Sequence, residues 1–314
     1  MQIHRNPDEL PAFRNAVVTI GTFDGVHMGH RQIIYKLIDE ASACNGETVI
    51  ITFHPHPRKV VSSTILGVRL INTLDEKIEL LEKLGIDHLV IVPFTDAFAN
   101  QEAEDYVSQF LVNRFHPHTI IIGYDHRFGK ERRGDYRLLE KLAPVYGFQL
   151  KEIPKHVLDE ISISSTRIRE ALLEGQVERA SGLLGYPFFF TGTVVHGDKL
   201  GRKLGYPTAN LHVEDEEKII PANGIYAVYA SLPPDTYTET PALLKGMMSI
   251  GFRPTVDGKK RVIEVNLFDF DRSIYDMQLR VHVKKYLRQE VKFDSLEDLV
   301  KQIDQDKIDS LKFL

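Results

Sequence analysis

AVVTIGTFDGVHMGH, residues 16–30, is the stretch that decides the fold of the first half of this chain. A β-branched apolar run at 16–20 enters a glycine-rich turn, and apolar residues at helical spacing follow from 31 to 43. The alternation then repeats, with strands predicted at 48–53, 88–92, 119–122 and 148–153 and helices at 74–84, 103–115 and 136–146. Apolar strands joined by helices predict an α/β domain, a doubly wound parallel sheet covered on both faces.

Two further helical stretches are predicted at 165–174 and 177–184. From Pro187 the apolar residues recur at every second position, as in a β-strand. Strands are then predicted at 188–195, 224–230, 243–250, 261–267 and 277–286, and an amphipathic helix at 295–311. Five strands and a final helix predict a small antiparallel β-barrel with a terminal helix. We therefore expect two domains, 1–185 and 186–314.

Length and composition narrow the class of protein. A chain of 314 residues exceeds one ordinary core, because cores stop growing at about 250–300 residues. The 44 acidic and 39 basic residues give a net charge of −5, and neither half is basic, so we expect no nucleic acid and no membrane surface as partner. The single cysteine, Cys44, excludes an internal disulfide framework and a cysteine-based zinc cluster.

The N-terminus does not have the pattern of a targeting segment. Acidic residues and two prolines stand where a signal peptide needs a basic and then an apolar run. The longest apolar runs are far below the roughly 20 residues that span a bilayer. We expect a cytoplasmic protein, and a homo-oligomer is compatible with the sequence.

The turn between the first strand and the first helix has the composition of a phosphate site. In an open parallel sheet, ligands bind beyond the carboxyl ends of strands, where helix N-termini present free N–H groups. His27 and His30 share a face on a helix, and their imidazoles suit a polyphosphate leaving group. Two alternatives stay open: one histidine caps the helix while the other lies at the surface, or Asp24, His27 and His30 bind a metal ion.

A second segment, ISISSTRIRE at 161–170, has a similar character. It offers hydroxyl groups at a helix start, and Arg167 and Arg169 add fixed positive charge. A simple helix cap needs one serine and no arginine, so the two segments together favour phosphate binding. The sequence contains neither a P-loop nor a G-x-G-x-x-G dinucleotide loop.

Longer motifs make the sequence similar to one enzyme family. GTFDGVHMGH resembles the H-x-G-H motif of nucleotidyltransferases, and with TFHPHP (52–57), GYDHRFGKERRGD (123–135) and ISSTRIREAL (163–172) it resembles bacterial FAD synthetase. The motifs GTVVHGDKLGRKLGYPTANL (192–211), VIEVNLFDF (262–270) and LRQEVKFDSLEDL (287–299) resemble riboflavin kinase. Together they cover nearly the whole chain, in the order of the bifunctional riboflavin kinase/FAD synthetase family.

The resemblance implies two activities. It implies an FMN adenylyltransferase domain with a nucleotidyltransferase-like fold at 1–185 and a riboflavin kinase domain at 186–314. Riboflavin would be phosphorylated by ATP to FMN and ADP, and a second ATP would convert FMN to FAD and pyrophosphate. Mg²⁺ is the implied cofactor with ATP as co-substrate, and the implied partners are riboflavin, FMN, FAD, ATP and ADP.

For the first domain the resemblance implies two sets of residues, with His27, His30 and Arg167 as the catalytic ones. The implied ATP-binding residues are Gly21, Phe23, Asp24, His27, His30, Ser164, Ser165, Thr166 and Arg167. The implied flavin-binding residues are Phe53, Pro55, Asp125, Arg127 and Phe128. A place in the apolar core is the alternative for both phenylalanines. His54 and His126 depart from the residues common in the family, and their effect on FMN binding stays open.

For the second domain the resemblance implies that GYPTAN, residues 205–210, binds the nucleotide. Thr208 and Asn210 are the implied ligands of Mg²⁺, and Gly205 and Pro207 the implied contacts of ATP. Mg²⁺ takes few protein oxygens and keeps several waters, which agrees with two neutral oxygen ligands.

Glu264 matches the base of the kinase reaction, which takes the proton of the riboflavin 5′-hydroxyl. Because side chains alternate along a strand, Glu264 faces away from Ile263 and Val265, and we expect its carboxylate on the inward-lining face of the barrel. Its alternative is an exposed strand residue. Arg288 and Glu290 are the implied flavin contacts, with a surface ion pair as the alternative.

Three other functions compete with this one. A chain with only the kinase active would form FMN and no FAD. A flavin- or nucleotide-binding regulator would have both sites degenerate, which the motifs around 27–30, 207–210 and 264 argue against. A tRNA-binding relative of the synthetases would need a basic surface that neither half has. The basic cluster at 127–133 either steers a phosphate ligand or balances the carboxylates around it.

Overall fold

The computed structural model describes residues 1–61, 69–123, 126–153, 164–197, 200–233, 243–255 and 258–314. The chain forms two compact units, Met1–Ser165 and Thr166–Leu314. Within the described ranges no helix combines the length and the apolar character that crossing a bilayer requires.

A six-stranded parallel sheet forms the centre of the first unit. Its inner strands are mostly apolar and almost completely buried, because helices cover both faces of a parallel sheet. The strands are β1 Gln2–His4, β2 Val17–Ile20, β3 Thr48–His54, β4 His88–Pro93, β5 Thr119–Gly123 and β6 Gln149–Ile153, in the order β1-β4-β3-β2-β5-β6. The predicted doubly wound α/β fold is confirmed. The edge strand β1 is an addition, since three mostly exposed residues carry no strand pattern.

Helices connect these strands, and the first of them, Met28–Ala43, buries Ile34 and Leu37 completely. The other described helices of the unit are Pro57–Val61, Leu74–Glu82, Asp96–Ala99 and Tyr136–Tyr146, with a short 3₁₀ helix at Lys130–Arg132. The helix predicted at 103–115 is one helical stretch whose middle, Tyr106–Val112, is a π-helix. Its buried aromatic residues pack against the sheet in the core.

The strand order identifies the place in the sheet where a ligand crevice is expected. The chain winds from β2 through β3 to β4 on one side and then crosses to β5 and β6 on the other. The winding therefore reverses between β2 and β5, where the loops at the carboxyl ends of the strands diverge. In open α/β sheets ligands bind at such a switch point. The loop 21–27 follows β2 and lies there.

A closed antiparallel barrel forms the second unit, as predicted. Its strands are β7 Phe189–Val195, β8 Ala209–His212, β9 Gly224–Ser231, β10 Leu244–Thr255, β11 Gly258–Leu267 and β12 Gln278–Arg288, in the order β10-β11-β8-β7-β12-β9. The barrel has six strands where the sequence predicted five. The extra strand, β8, has four residues, and the first three belong to the GYPTANL motif. So short a strand shows no period.

Helices Ser165–Leu173 and Val177–Leu184 precede the barrel, and Leu296–Leu311 follows it. The first two pack in the second unit: the Leu172 carbonyl accepts a hydrogen bond from the Ala222 N–H at 3.0 Å, and Glu178 pairs with Lys285 of β12. The compact units therefore divide between residues 165 and 166. The boundary at 185 remains a prediction of where the two functional domains meet.

Asp306 anchors the terminal helix to the barrel through a buried ion pair. Arg288 of β12 donates from Nε to Oδ1 (2.7 Å) and from Nη2 to Oδ2 (2.6 Å), and Asp306 is 4 % exposed. Removing one partner of a buried pair leaves the other charge uncompensated. We therefore expect Asp306→Ala to lower the free energy of unfolding of this unit by about 3 kcal/mol, measured by hydrogen exchange of the barrel amides.

The matched control is Asp309→Ala on the same helix, where the carboxylate pairs with Lys312 at the surface. An exposed pair contributes little, so the amide protection should change far less in this variant. Equal losses in the two variants would contradict the assignment of Asp306 as the anchor.

Candidate active sites

The loop between β2 and the first helix is held in a strained form. Phe23 and Val26 have φ angles of 47° and 36°, and a β-branched residue is rarely found in that region. The Thr22 carbonyl accepts hydrogen bonds from the Thr52 hydroxyl (3.2 Å) and the Lys77 ammonium (2.7 Å). Strain of this kind persists only where the surroundings impose it, and it is common at ligand sites.

Asp24 is buried in this loop, and its carboxylate faces the backbone of a neighbouring segment. Oδ1 accepts hydrogen bonds from the N–H groups of Ile71 (3.0 Å) and Asn72 (3.2 Å). The carboxylate thus shapes the loop, and a direct contact with ATP remains a prediction. No cluster of three or more His, Cys, Asp and Glu side chains arranged to hold a metal ion occurs among the residues described.

His27 is the N-cap of the first helix. Its Nδ1 atom accepts a hydrogen bond from the backbone N–H of His30 at 3.2 Å. A nitrogen that accepts carries no proton, so Nε2 is the nitrogen of the His27 ring that can donate. The cap alternative is therefore correct for His27. The same alternative placed the other histidine at the surface, and for His30 this is wrong.

His30 is packed between two rings. The centroid of the His30 ring lies 3.6 Å from the centroid of the His27 ring, in a stacked arrangement, and 5.1 Å from the centroid of the Phe23 ring. Its Nδ1 atom is buried without a hydrogen-bond partner in the described part of the chain. Burial, His27 and the Lys77 ammonium lower the pKa of His30 well below its ordinary 6.5. His30 is therefore neutral at physiological pH, and its ring can interact only through hydrogen bonds and packing.

The second motif meets the first at Ser165, whose hydroxyl donates to the Asp24 carbonyl at 3.0 Å. Ser164 precedes the helix and is exposed. Thr166 and Arg167 are the first residues of the second compact unit and are exposed as well. Among the residues of ISSTR, Ser165 is thus hydrogen-bonded directly to the loop 21–27.

The remaining predicted ATP contacts of the first unit are Gly21 and Phe23. Gly21 extends the pairing of β2, since its N–H donates to the Ile51 carbonyl at 3.0 Å. A Cβ at Gly21 would lie 3.1 Å from the Phe23 ring, so glycine leaves room for that ring. Phe23 is buried and covers His30, and its direct contact with ATP stays a prediction.

The two candidate flavin phenylalanines differ in their surroundings. Phe53, at the end of β3, is half-buried and its ring meets Phe94 and Phe98 at 5.4 and 5.6 Å. Phe128 is buried in the core, where it stacks on Tyr106 at 4.9 Å between centroids. The core alternative therefore describes Phe128, because Tyr106 already occupies one face of the ring. Phe53 contacts the core, and its side chain is partly exposed.

Two other flavin candidates of the first unit, Pro55 and Arg127, lie on loops. Arg127 forms an ion pair with Asp135 at 2.9 Å, and Lys130 pairs with Glu102 at 3.0 Å. The basic cluster thus balances the carboxylates beside it, which was one of the two interpretations. Pro55 is half-buried just after β3. Asp125 lies outside the described residues.

On the barrel, two predicted residues face each other across neighbouring strands. Glu264 of β11 is the register partner of Asn210 of β8, and directly opposite residues share a face of the sheet. Ile263 and Val265 are buried, and Glu264 points to the other side. The expected inward position of Glu264 is therefore wrong: apolar side chains fill the interior of so small a barrel, and the carboxylate lies on the outer face.

The GYPTAN segment is held in place by residues outside it. The Asn266 side chain donates to the Pro207 carbonyl at 2.7 Å, and the Tyr206 hydroxyl donates to Asp304 of the terminal helix. That hydrogen bond raises the pKa of Tyr206 to about 12. Thr208 is half-buried, and Gly205 has a φ of 84° that favours glycine.

Sequence reasoning missed several of these supporting residues. Asn266 stands two positions after Glu264 and shares its face, so strand alternation was a signal that could have found it. Lys77 and Asp306 sit in ordinary amphipathic helices and give no such signal. Arg288 and Glu290 were predicted together, yet Arg288 pairs with Asp306 and Glu290 approaches Arg253.

Comparison with known proteins identifies both halves of the chain. A family model for FAD synthetase matches residues 10–167, and one for riboflavin kinase matches residues 184–314. A bifunctional riboflavin kinase/FMN adenylyltransferase of Haemophilus influenzae is 36% identical over 293 residues, 93% of this chain and 92% of the relative. That of Listeria monocytogenes is 37% identical over 300 residues, 95% of this chain and 92% of the relative.

A solved structure, described as a macrolide-efflux protein from Streptococcus pneumoniae, is similar over the whole chain. It has a TM-score of 0.85 and 28% identity, and the match covers 100% of this chain and 99% of that one. The two folds therefore agree along the sequence, whereas the family models and the curated relatives concern flavin metabolism.

Both matched models describe enzymes that use ATP, which places the protein among the phosphoryl- and nucleotidyl-transferases. The chain belongs to the family of bifunctional riboflavin kinases/FMN adenylyltransferases. It phosphorylates riboflavin to FMN and adenylylates FMN to FAD. Family models for both enzymes match this chain, so the kinase-only, regulator and tRNA-binding alternatives are not supported.

Proposed function

We propose that adenylyl transfer takes place at the loop after β2, where His27, His30 and the ISSTR segment bind the triphosphate of ATP. An FMN phosphate oxygen attacks the α-phosphorus, the bond to the bridging oxygen breaks, and pyrophosphate leaves. The attacking phosphate is already ionised, so no side-chain base is needed. The protein contributes positioning and hydrogen bonds to the developing charge.

The cap at His27 is the observation that supports this proposal. Because the backbone N–H of His30 occupies Nδ1, the ring offers Nε2–H as its donor. The helix N-terminus adds its positive dipole end beside that donor. Arg167 supplies a fixed charge, and the other residues proposed to bind ATP are Gly21, Phe23, Asp24, Ser164, Ser165 and Thr166.

We place riboflavin phosphorylation on the outer face of the barrel that carries Glu264. The carboxylate takes the proton of the 5′-hydroxyl while that oxygen attacks the γ-phosphorus, and ADP leaves. The register between Glu264 and Asn210 supports this assignment, because it sets the proposed base beside the proposed nucleotide segment. Gly205 and Pro207 belong to the same ATP-binding segment.

Thr208 and Asn210 are the residues that we propose to hold Mg²⁺ in the kinase site. Their hydroxyl and amide oxygens are neutral hard donors, and Mg²⁺ usually combines few protein oxygens with substrate phosphates and waters. The Asn210 amide is held against Gly197, where an added Cβ would lie 2.2 Å from Nδ2. This donor set fits the ion. When bound, Mg²⁺ neutralises charge on the phosphates.

We expect Asn210→Ala to raise the Mg²⁺ concentration for half-maximal FMN formation, because the ion loses one proposed ligand oxygen. A rise of about tenfold would correspond to about 1.4 kcal/mol of binding free energy. The assay incubates the purified protein with riboflavin and ATP, titrates Mg²⁺ and separates FMN and FAD by chromatography. Conversion of added FMN to FAD is the control in the same chain and should keep its wild-type response. An unchanged Mg²⁺ dependence of FMN formation would contradict the assignment.

The flavin contacts remain proposals of the same kind. For FMN we propose Phe53, Pro55 and Arg127, with Asp125 outside the described residues. For riboflavin we propose Glu290, while the ion pair with Asp306 gives Arg288 a supporting position. The functional boundary near 185, a cytoplasmic location and a homo-oligomer likewise remain proposals.

A further inference from the structure

We propose that Arg253 is a positioning residue for riboflavin phosphorylation, and that its guanidinium holds the Glu264 carboxylate where it meets the substrate hydroxyl. The inference rests on the proposed role of Glu264 as the base. Arg253 lies in β10 and Glu264 in β11, two neighbouring antiparallel strands of the barrel.

One guanidinium faces two carboxylates at this point of the barrel. Nη2 of Arg253 donates to Oε2 of Glu264 at 3.0 Å, and Nη1 lies 3.6 Å from Oε1 of Glu290. The side chains are partly exposed, at 44%, 26% and 31% for Arg253, Glu264 and Glu290. The cluster therefore lies at the surface of the outer face, open to a substrate.

Glu264 needs such a partner because of its place on the barrel. A glutamate on the outer face has no core packing to select one rotamer, and the strand fixes only its Cα and Cβ. Among the described residues, Arg253 provides the side-chain hydrogen bond to Glu264. A planar guanidinium presents its N–H groups in a rigid fork, so it can hold two carboxylates in one geometry.

Gly251 makes room for the second carboxylate of this arrangement. A Cβ at Gly251 would lie 2.0 Å from Oε1 of Glu290, so the carboxylate rests directly over the glycine. Gly251 and Arg253 are two residues apart in β10 and thus face the same side. Gly251→Ala would move Glu290 away from Arg253 without changing any charge.

The test measures steady-state FMN formation in Arg253→Ala, Arg253→Lys and Gly251→Ala. We expect Arg253→Ala to lower kcat about 10- to 100-fold, because a small misplacement of a catalytic group costs this much, while KM for ATP stays near the wild-type value. Arg253→Lys keeps the charge without the fork and should recover part of kcat. Gly251→Ala should lower kcat less than Arg253→Ala.

Two comparisons separate a positioning role from a merely structural one. In a Glu264→Gln background, Arg253→Ala should cause no further loss, since the group that it positions is already gone. Lys285→Ala, which removes a surface ion pair with Glu178 on the same barrel, should leave kcat unchanged. Conversion of FMN to FAD reports whether each variant is folded in its other half.

The outcomes also distinguish this inference from the proposal on which it rests. An inactive Glu264→Gln with a wild-type kcat in Arg253→Ala would overturn the role of Arg253 alone. An equal loss from Arg253→Ala in the wild-type and Glu264→Gln backgrounds would overturn it as well. A wild-type kcat in Glu264→Gln would overturn the proposed base, and the role of Arg253 with it.

Discussion

Glu264→Gln is expected to lower kcat for riboflavin phosphorylation by about 10²- to 10⁴-fold, the contribution of a general base. Glutamine keeps the shape of the side chain and can still accept from Arg253, but it cannot take the hydroxyl proton. Conversion of added FMN to FAD should proceed at the wild-type rate, because the two reactions use different halves of the chain. Chromatography of the products from riboflavin and from FMN measures both rates.

The matched control is Glu214→Gln, an exposed glutamate in the same unit that accepts a hydrogen bond from the Thr193 hydroxyl at 3.0 Å. It removes one negative charge at a carboxylate that is hydrogen-bonded to Thr193 of β7 rather than to Arg253, so both rates should stay at the wild-type level. Equal loss of FMN and FAD formation in Glu264→Gln would refute the division of labour between the domains.

His27→Asn is expected to lower the rate of FAD formation from FMN by about 10²- to 10³-fold, the usual effect of removing one donor to developing charge. Asparagine is a good N-cap, so the helix start survives while the Nε2–H donor is lost. FMN formation from riboflavin should remain unchanged. The rate is followed by chromatography with saturating ATP.

His27→Ala separates the cap from the donor, because it removes both. Losing an N-cap side chain costs about 1 kcal/mol of stability, so this variant should unfold at lower urea than His27→Asn while the two have equally low activity. A wild-type rate of FAD formation in His27→Asn would show that capping is the whole role of this histidine and would remove it from the proposed site.

Much of the N-terminal site was predictable because local sequence and topology agree there. An apolar strand, a glycine-rich turn and a helix start occur within residues 16–30, and the alternation of strands and helices made the sheet parallel. In such a sheet the first turn lies at the carboxyl edge by necessity. The roles of His27 and His30 were harder to separate, since spacing places both on one face but does not say which ring accepts the backbone N–H.

The barrel was predicted as a class, but details of its wall were not. Period two showed that Glu264 and Ile263 face opposite sides, yet it could not say which side is the interior. The interior is decided by which side chains pack together, and Ile263 and Val265 are among those buried. Four residues of β8 were missed because so short a strand has no visible period.

The sequence by itself determined the two fold classes, the family and the two activities, because long motifs and periodic apolar patterns are local properties of a chain. Only the tertiary structure decided which groups hold those motifs in place. Lys77 donates to the loop after β2, Arg253 pairs with Glu264, and Asp306 pairs with Arg288. Each supporting residue lies on a different element from the residue that it contacts. Their hydrogen bonds depend on how strands and helices pack, and no local pattern encodes that packing.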